Sequence, residues 1–337
     1  MKVYLDEQKS FYKANMHSHS THSDGKLSPE EMKREYMKRG YSIIAFTDHE
    51  HIVNNSHLTD ENFLAISSFE MSVSDRTVPW GPVSRQFVRV VHLNFYATTP
   101  DNDVTICTNR KSDKWGSEEL RATLKYDECG EMRVYTPDAI KKIVDKAHES
   151  GFLVCYNHPV WSLENACDYM NYGDLDFVEI FNTGCDRAGL SSYETIFDEM
   201  IKRGKNVACI AADDNHNYKR LDSPYSDSFG GWIMINADEL KYETIIEALK
   251  NHNFYASCGP EIYSLKRDGN KIMVKTSAAR RILKETEGRQ AQVIYAEPGT
   301  PLTEATFTVN DNEKVFRITV EDECGRRAYS QAYDAND

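Results

Sequence analysis

Four short apolar runs within the first 216 residues each end on a histidine or an aspartate. Tyr12 to Met16 leads into His17, and Ser42 to Phe46 into Thr47-Asp48-His49. Phe152 to Tyr156 leads into Asn157-His158-Pro159, and Val207 to Ala211 into Asp213-Asp214-Asn215-His216. Helical patterns with start and stop signals separate them. Ser28-Pro29-Glu30-Glu31 presents a capping residue, a proline at the first helical position and a glutamate at the third, and Gly40 supplies the stop. Thr136-Pro137 opens a helix with Ile140, Ile143, Val144 and Ala147 at helical spacing, closed by Gly151. Ser192 opens another, with Ile196, Phe197, Met200 and Ile201 on one face and Gly204 at its end. Such repetition predicts an α/β fold of parallel strands with right-handed crossovers. It also puts polar residues just beyond the strands, where a β/α barrel or an open α/β sheet gathers its active site. Glu70, after Phe63 to Ile66, fits this placement, whereas His92 lies within Phe87 to Tyr96 and must project from the strand itself.

The residue types point to metal coordination. His17 and His19, one residue apart on an extended segment, face the same side, and Asp24 can fold back toward them. A histidine-rich polar loop is the alternative for that segment alone, and Asp24 with Asp48-His49 argues against it. Of eleven histidines, six (17, 19, 49, 92, 158 and 216) sit at strand ends or in strands beside carboxylates. His148 and His252 read as surface residues near helix ends, and His51 and His57 as members of a polar loop. His22, between His19 and Asp24, is a candidate for proton transfer or for orienting a ligand. Asp48 and Asp213 either orient a neighbouring imidazole or bond backbone at the strand ends, and Glu179 is a supporting carboxylate on its own strand. The eight cysteines show no C-x-x-C spacing, which argues against a thiolate site. Nitrogen and oxygen donors without thiolates suit zinc, manganese or iron.

The ordered set His17-x-His19 with Ser23-Asp24-Gly25, Thr47-Asp48-His49, Glu70, His92, Asn157-His158-Pro159 and Asp214-x-His216 resembles the PHP (polymerase and histidinol phosphatase) superfamily, over roughly residues 15 to 216. The resemblance implies a distorted (β/α)7 barrel holding two or three divalent metal ions. It implies that His17, His19 and Asp214 hold one metal, Asp24, His49 and His158 a second, and His92 and His216 a third, with Glu70 bridging. Tyr255 to Pro260 and Phe316 to Asp322 are more loosely similar to the tail of the branch that includes carbaryl-hydrolase-type metallohydrolases.

The expected activity is that of a metal-dependent hydrolase, a phosphoesterase cleaving small phosphomonoesters or nucleotides by attack of a metal-bridging hydroxide. Clustered metals lower the pKa of water from about 15.7 toward ~7. A carboxylic or carbamic ester or amide hydrolase using the same metals is the alternative. A non-catalytic sensor module is a third reading, which loss of ligands would favour, and none is missing. His22 is the candidate acid for the leaving group. Arg187, beyond the strand end at Asn182, and Arg220, shortly after His216, are candidates to hold the substrate phosphate.

Residues 1–257 are expected to form the metal-binding unit, with a polar insertion at about 97–135 whose hairpin turns at Asp127 to Gly130. Residues 258–337 are expected to form a small β-rich subdomain with strands at Lys271 to Lys275, Ala291 to Tyr295 and Val315 to Val320. The formal charge of −13 disfavours a nucleic-acid partner, whose backbone demands clustered Lys and Arg, and is compatible with a small anionic substrate drawn to the metals. No apolar run of about 18 residues is present, so no membrane span is expected, and the N-terminus lacks a signal-like core. A cytoplasmic protein is expected, its cysteines acting as small buried hydrophobes. Nothing in the sequence bears on oligomeric state.

Overall fold

The structure is a computed structural model that describes residues 1–75, 77, 84–190, 194–289 and 291–336, so the expected helix start at Ser192 lies outside the described residues. The fold is mixed α/β. In chain order the first part contains β1 (Lys2–Leu5), β2 (Ser10–Asn15), α1 (Pro29–Met37), β3 (Tyr41–Phe46), β4 (Leu64–Ser74) and β5 (Val90–Ala97). The short elements β6 (Val104–Thr105), α2 (Glu118–Thr123) and β7 (Lys125–Tyr126) follow. Next come α3 (Pro137–Glu149), β8 (Phe152–Tyr156), α4 (Ala166–Tyr169), β9 (Phe177–Asn182), α5 (Thr183–Arg187), α6 (Glu194–Lys202) and β10 (Ala208–Ala212). Then follow β11 (Trp232–Ala237), α7 (Tyr242–Lys250) and β12 (Phe254–Ser257). The remainder is strands: β13 (Ile262–Asp268), β14 (Lys271–Ala279), β15 (Arg281–Thr286), β16 (Gln292–Tyr295), β17 (Leu302–Thr308), β18 (Val315–Glu321), β19 (Arg327–Ser330) and β20 (Tyr333–Asp334).

Local chemistry explains the helix starts. The Ser28 side chain accepts from the Glu31 amide while the Glu31 carboxylate accepts from the Ser28 amide, a reciprocal cap ahead of Met32 and Tyr36, which α1 buries. Thr136 caps α3 one way, its side chain accepting from the Ala139 amide, and Ile140, Ile143, Val144 and Ala147 form the buried face. These side chains join Ile43, Leu93, Val154, Val178 and Ile210 of the strands in the main apolar core.

The main sheet runs β10-β9-β8-β5-β4-β3-β2-β11-β12-β19-β18-β15-β16. β2, β3 and β4 are parallel to one another, as are β8, β9 and β10. Between the two triplets β5 runs antiparallel to both β4 and β8. The uniform parallel repeat is therefore corrected at β5. The described residues between β4 and β5 carry a 3-10 turn at Ser84–Phe87 and no crossover helix, which a parallel partner would need. β11 is likewise antiparallel to β2.

The distorted (β/α)7 barrel that the resemblance implies is not confirmed: among the described residues no ladder joins β10 back to β2. At the ligand-bearing end a single parallel bridge, Ser18 with Asn215, draws these two ends together. Elsewhere the free edge of β10 meets a side chain. Gln331 accepts from the Cys209 amide at 2.7 Å and donates to the Cys209 carbonyl at 3.0 Å, so its amide stands in for a missing strand.

The hairpin expected at Asp127 to Gly130 is not formed. β7 pairs parallel with β6, and Gly130–Met132 is a 3-10 turn. In the C-terminal region β1 pairs with β13 and β12 with β19, so backbone pairing ties the chain before residue 258 to the strands after it. No helix among the described residues is long and apolar enough to cross a membrane.

Replacing Gln331 with alanine strips partners from two buried backbone groups at one edge. We expect a loss of about 2 to 4 kcal/mol, read as a lower denaturant midpoint; an unchanged midpoint would mean that water or neighbouring backbone replaces the amide.

Candidate metal centre

Glu70 lies within β4 and is 1% exposed. Its Oε1 is 3.0 Å from His92 Nδ1, 3.2 Å from His17 Nε2 and 3.4 Å from His158 Nε2, and accepts from the Asn157 side-chain amide at 2.9 Å. Its Oε2 is 2.9 Å from His49 Nδ1 and 3.6 Å from His19 Nε2. The two oxygens of one buried carboxylate thus face two different sets of imidazoles.

All nine residues read as ligands from the sequence fall into groups whose donor atoms lie within 4.8 Å of one another. The groups are His19, Asp24, His49 and His216; His17, His19 and Glu70; His17, His158 and Asp214; and Glu70, His92 and His158. This division departs from the three sets that the family resemblance implies. Asp24 is 3.4 Å from His216 and 3.7 Å from His49, not grouped with His158. His216 stacks on His19 at 4.2 Å between ring centres, whereas His92 packs edge-on to His158 at 5.0 Å. His92 and His216 therefore belong to different groups, because His92 enters from the antiparallel strand β5 and His216 from the loop beyond β10.

The ligand-bearing loops are held by groups that are not donors themselves. Glu179 on β9 pairs with His17 Nδ1 at 2.6 Å and accepts from the His158 backbone amide at 2.8 Å, turning His17 Nε2 toward Glu70 and Asp214. Asp48 accepts from the amides and hydroxyls of Ser20 and Ser23, fastening the loop between His19 and Asp24. Asp213 accepts from the amides of Phe229, Gly230 and Gly231 and from the Thr183 and Tyr36 hydroxyls. Both aspartates thus take the backbone-bonding role and orient no imidazole. His158 at φ 26° and Asp214 at φ 52° occupy left-handed backbone uncommon for non-glycine residues.

The charges are strongly coupled. Burial works against the ionised forms of Glu70 and Asp214, yet the surrounding histidines hold both carboxyls below their usual range. His17 is raised well above its usual value because Asp214, Glu179 and Glu70 outweigh burial. His49 is raised to about 9, where burial is outweighed by its hydrogen bond to Glu70 and the charges of Glu70, Asp24 and Glu50. His19 is lowered to about 4 by burial and by His216 and His49.

The donor set fits a bound cation. His17 Nε2 and His19 Nε2 approach to 3.3 Å, two imidazole nitrogens converging on a common point. Two other fully enclosed imidazole nitrogens, His19 Nδ1 and His158 Nδ1, have no hydrogen-bond partner. No cysteine belongs to any of the groups, so the chemistry is that of nitrogen and oxygen donors.

The three candidate catalytic side chains are not drawn into this cluster. Arg220 is 84% exposed and paired with Asp222, and Arg187 donates to the Ser226 carbonyl and to Asp186. Neither guanidinium makes a described contact with the nine residues. His22 is half-buried, with its backbone amide bonded to Ser20 Oγ.

Other residues at the rim escaped the sequence reading. Lys26 donates its backbone amide to the His216 carbonyl and holds its ammonium 4.5 Å above the Tyr218 ring, which stacks on His216. Trp115 packs on His49 at 4.5 Å, and Trp161 on His158 at 4.9 Å and His92 at 5.0 Å. Lys26 adjoins Gly25 of the first motif, a signal that position alone supplied. Neither tryptophan stands in a pattern that would have marked it.

No protein-family model and no curated protein sequence matches the chain. Among solved structures, it is similar to a two-domain protein from Bacteroides vulgatus containing a predicted PHP-like metal-dependent phosphoesterase. That similarity has a TM-score of 0.45 and 13% identity, covering 96% of this chain and 94% of the other. A protein from Bifidobacterium adolescentis described as a metal-dependent phosphoesterase aligns with TM-score 0.39 and 14% identity, over 62% of this chain and 90% of that one. An amidohydrolase from Chromobacterium violaceum with bound sulfate and no metal aligns with TM-score 0.35 and 14% identity, over 60% and 87% respectively.

Two outcomes follow for metal loading. A ligating imidazole must be neutral, and the metal-free His49 keeps its proton up to pH about 9. Affinity should therefore climb with pH, by about tenfold per unit for each proton displaced. Calorimetric titrations in buffers of different ionisation enthalpy will show the released protons, and affinity independent of pH below 9 would contradict the assignment. Glu179→Gln removes the charge that orients His17 and should weaken metal binding by about 10- to 100-fold with the fold retained by circular dichroism.

Proposed function

We propose that this chain is a metal-dependent hydrolase of the PHP type, acting on small phosphomonoesters or nucleotides. The observation that carries the reading is the convergence of eight nitrogen- and oxygen-donor side chains around Glu70, two of them with unpartnered buried nitrogens. Divalent cations held there would supply Lewis acidity and acidify water at neutral pH. In this reading residues 1–257 carry the site and residues 258–337 brace it.

The chain's own residues have separable tasks. Glu179 fixes the tautomer and direction of His17, and Asn157 holds one oxygen of Glu70. Lys26 replaces Arg187 and Arg220 as the cation that meets a substrate phosphate, since its backbone is bonded to the His216 loop and its ammonium lies over Tyr218. A lysine there acts as a point charge and requires no bidentate geometry. His22, in the loop between His19 and Asp24, is the candidate donor of a proton to the leaving group. If His22→Ala leaves turnover and its pH profile unchanged, that role is removed.

Purified protein should contain zinc, manganese or iron by elemental analysis and should hydrolyse phosphomonoesters in a panel that includes phosphodiesters and carboxylic esters. Activity confined to carboxylic esters would overturn the phosphate reading while keeping the metals. Lys26→Ala should raise KM for a phosphomonoester by about 5- to 20-fold, the scale of a charge-assisted contact, with kcat changed far less. Equal losses in kcat and in kcat/KM would instead place Lys26 in the transition state alone.

A further inference from the structure

Asp113 joins Arg133, which pairs with Glu50, and Thr105, which accepts from the Ile52 amide, in fastening the polar insertion at about 97–135 to the segment after His49. Asp113, buried inside the insertion, pairs through Oδ2 with His51 Nδ1 at 2.8 Å, and His51 lies two residues beyond His49. The same oxygen accepts from the Tyr126 hydroxyl at 2.8 Å. The other carboxylate oxygen accepts from the Trp115 backbone amide at 2.9 Å. Close packing adds to this anchor. Gly116 has φ +63°, and a Cβ there would lie 2.7 Å from the His22 carbonyl, so the insertion passes directly against the loop that carries His19 and Asp24.

The consequence is the position of the Trp115 indole. It lies 4.5 Å from the His49 ring at a 32° tilt and is only half-buried, leaving part of its surface free beside a candidate ligand. A second indole, Trp161, is 44% exposed and rests on His158 and His92, which bind the other oxygen of Glu70. Two indoles from distant segments therefore flank the cluster. A partly exposed indole offers a face on which a planar ring can stack, largely without regard to the ring's substituents.

We propose that the insertion contributes a wall of the reaction site, and that Trp115, set in place by Asp113 and His51, selects substrates whose leaving group is a flat aromatic ring, such as a nucleoside or an aryl alcohol. This rests on the hydrolase reading above and names its substrate class. Asp113 is a positioning residue in this scheme, acting through Trp115.

Binding of non-hydrolysable anions to the metal-loaded protein tests the wall without relying on turnover. Calorimetry should show phenylphosphonate binding at least about tenfold more tightly than methylphosphonate, with stacking also quenching tryptophan fluorescence. Trp115→Leu should lose most of that preference and Trp115→Phe should keep most of it. Asp113→Asn should reduce it while leaving the ring chemistry unaltered. Equal affinity of the native protein for the two phosphonates, or an undiminished preference in Trp115→Leu, overturns the proposal. If Trp115→Leu does not fold, loss of the preference in Asp113→Asn supports the wall and its retention overturns it. Failure of both phosphonates to bind counts against the phosphate reading instead, and benzoate against acetate then decides the wall by the same criterion.

Discussion

A carboxylate removed from water must be surrounded by donors or positive charge, and Glu70 meets that demand with imidazoles on both oxygens. The rest of the candidate centre follows from it. β4 places the carboxylate at the middle of the parallel and antiparallel strands, and each neighbouring strand or loop contributes a histidine that reaches one oxygen or the other. His17 and His19 come from the end of β2, His49 from the end of β3, His92 from β5 and His158 from the end of β8. The backbone repeats the arrangement, since the Glu70 amide donates to the Asp48 carbonyl and the Glu70 carbonyl accepts from Glu50.

The loops that carry the donors are held more tightly than loops usually are. Asp48 gathers the loop between His19 and Asp24, Asn15 accepts from the amides of His17 and Asp213, and Asp213, next to Asp214, accepts from the Gly230 and Gly231 amides. Left-handed backbone at His158 and Asp214 costs about 1 to 3 kcal/mol each, and it persists because these bonds over-determine the surrounding chain. A site made of flexible loops would relax such residues. Here both residues keep that backbone with His158 beside Glu70 and Asp214 beside His17 and His19.

Much of this was legible in the sequence because metal donors at strand ends follow a simple rule. Apart from Asp24 and His92, each donor stands one to four residues after a buried apolar run, and Ser28, Thr136, Gly40 and Gly151 mark the helices between those runs. The exceptions have physical causes. His92 lies inside a run because β5 is antiparallel and presents a side chain from its own length, and periodicity cannot report strand direction. Arg187 and Arg220 stand close in sequence to donor segments, but they find nearer carbonyl and carboxylate partners of their own. Lys26 was passed over because one lysine in a polar loop is indistinguishable from a solvated one until Tyr218 and His216 are seen beside it. Trp115 depends on Asp113 and His51, residues separated by the full length of β4 and β5, and no local pattern connects them.

The overlap among the four donor groups limits how they can be used together. A neutral imidazole has one lone pair, so His17, His19 and His158, which each occur in two groups, can serve only one cation at a time. Assigning His19 to Asp24, His49 and His216 leaves His17 free to join His158 and Asp214. That choice gives one group of four and one of three with no shared residue, and it leaves Glu70 between them with His92. Glu70 would suit a place between the two, since its oxygens face opposite sides: Oε2 lies toward His49 of the first group and Oε1 toward His17 and His158 of the second. With Glu70 between them, the two groups of donors compete for no nitrogen.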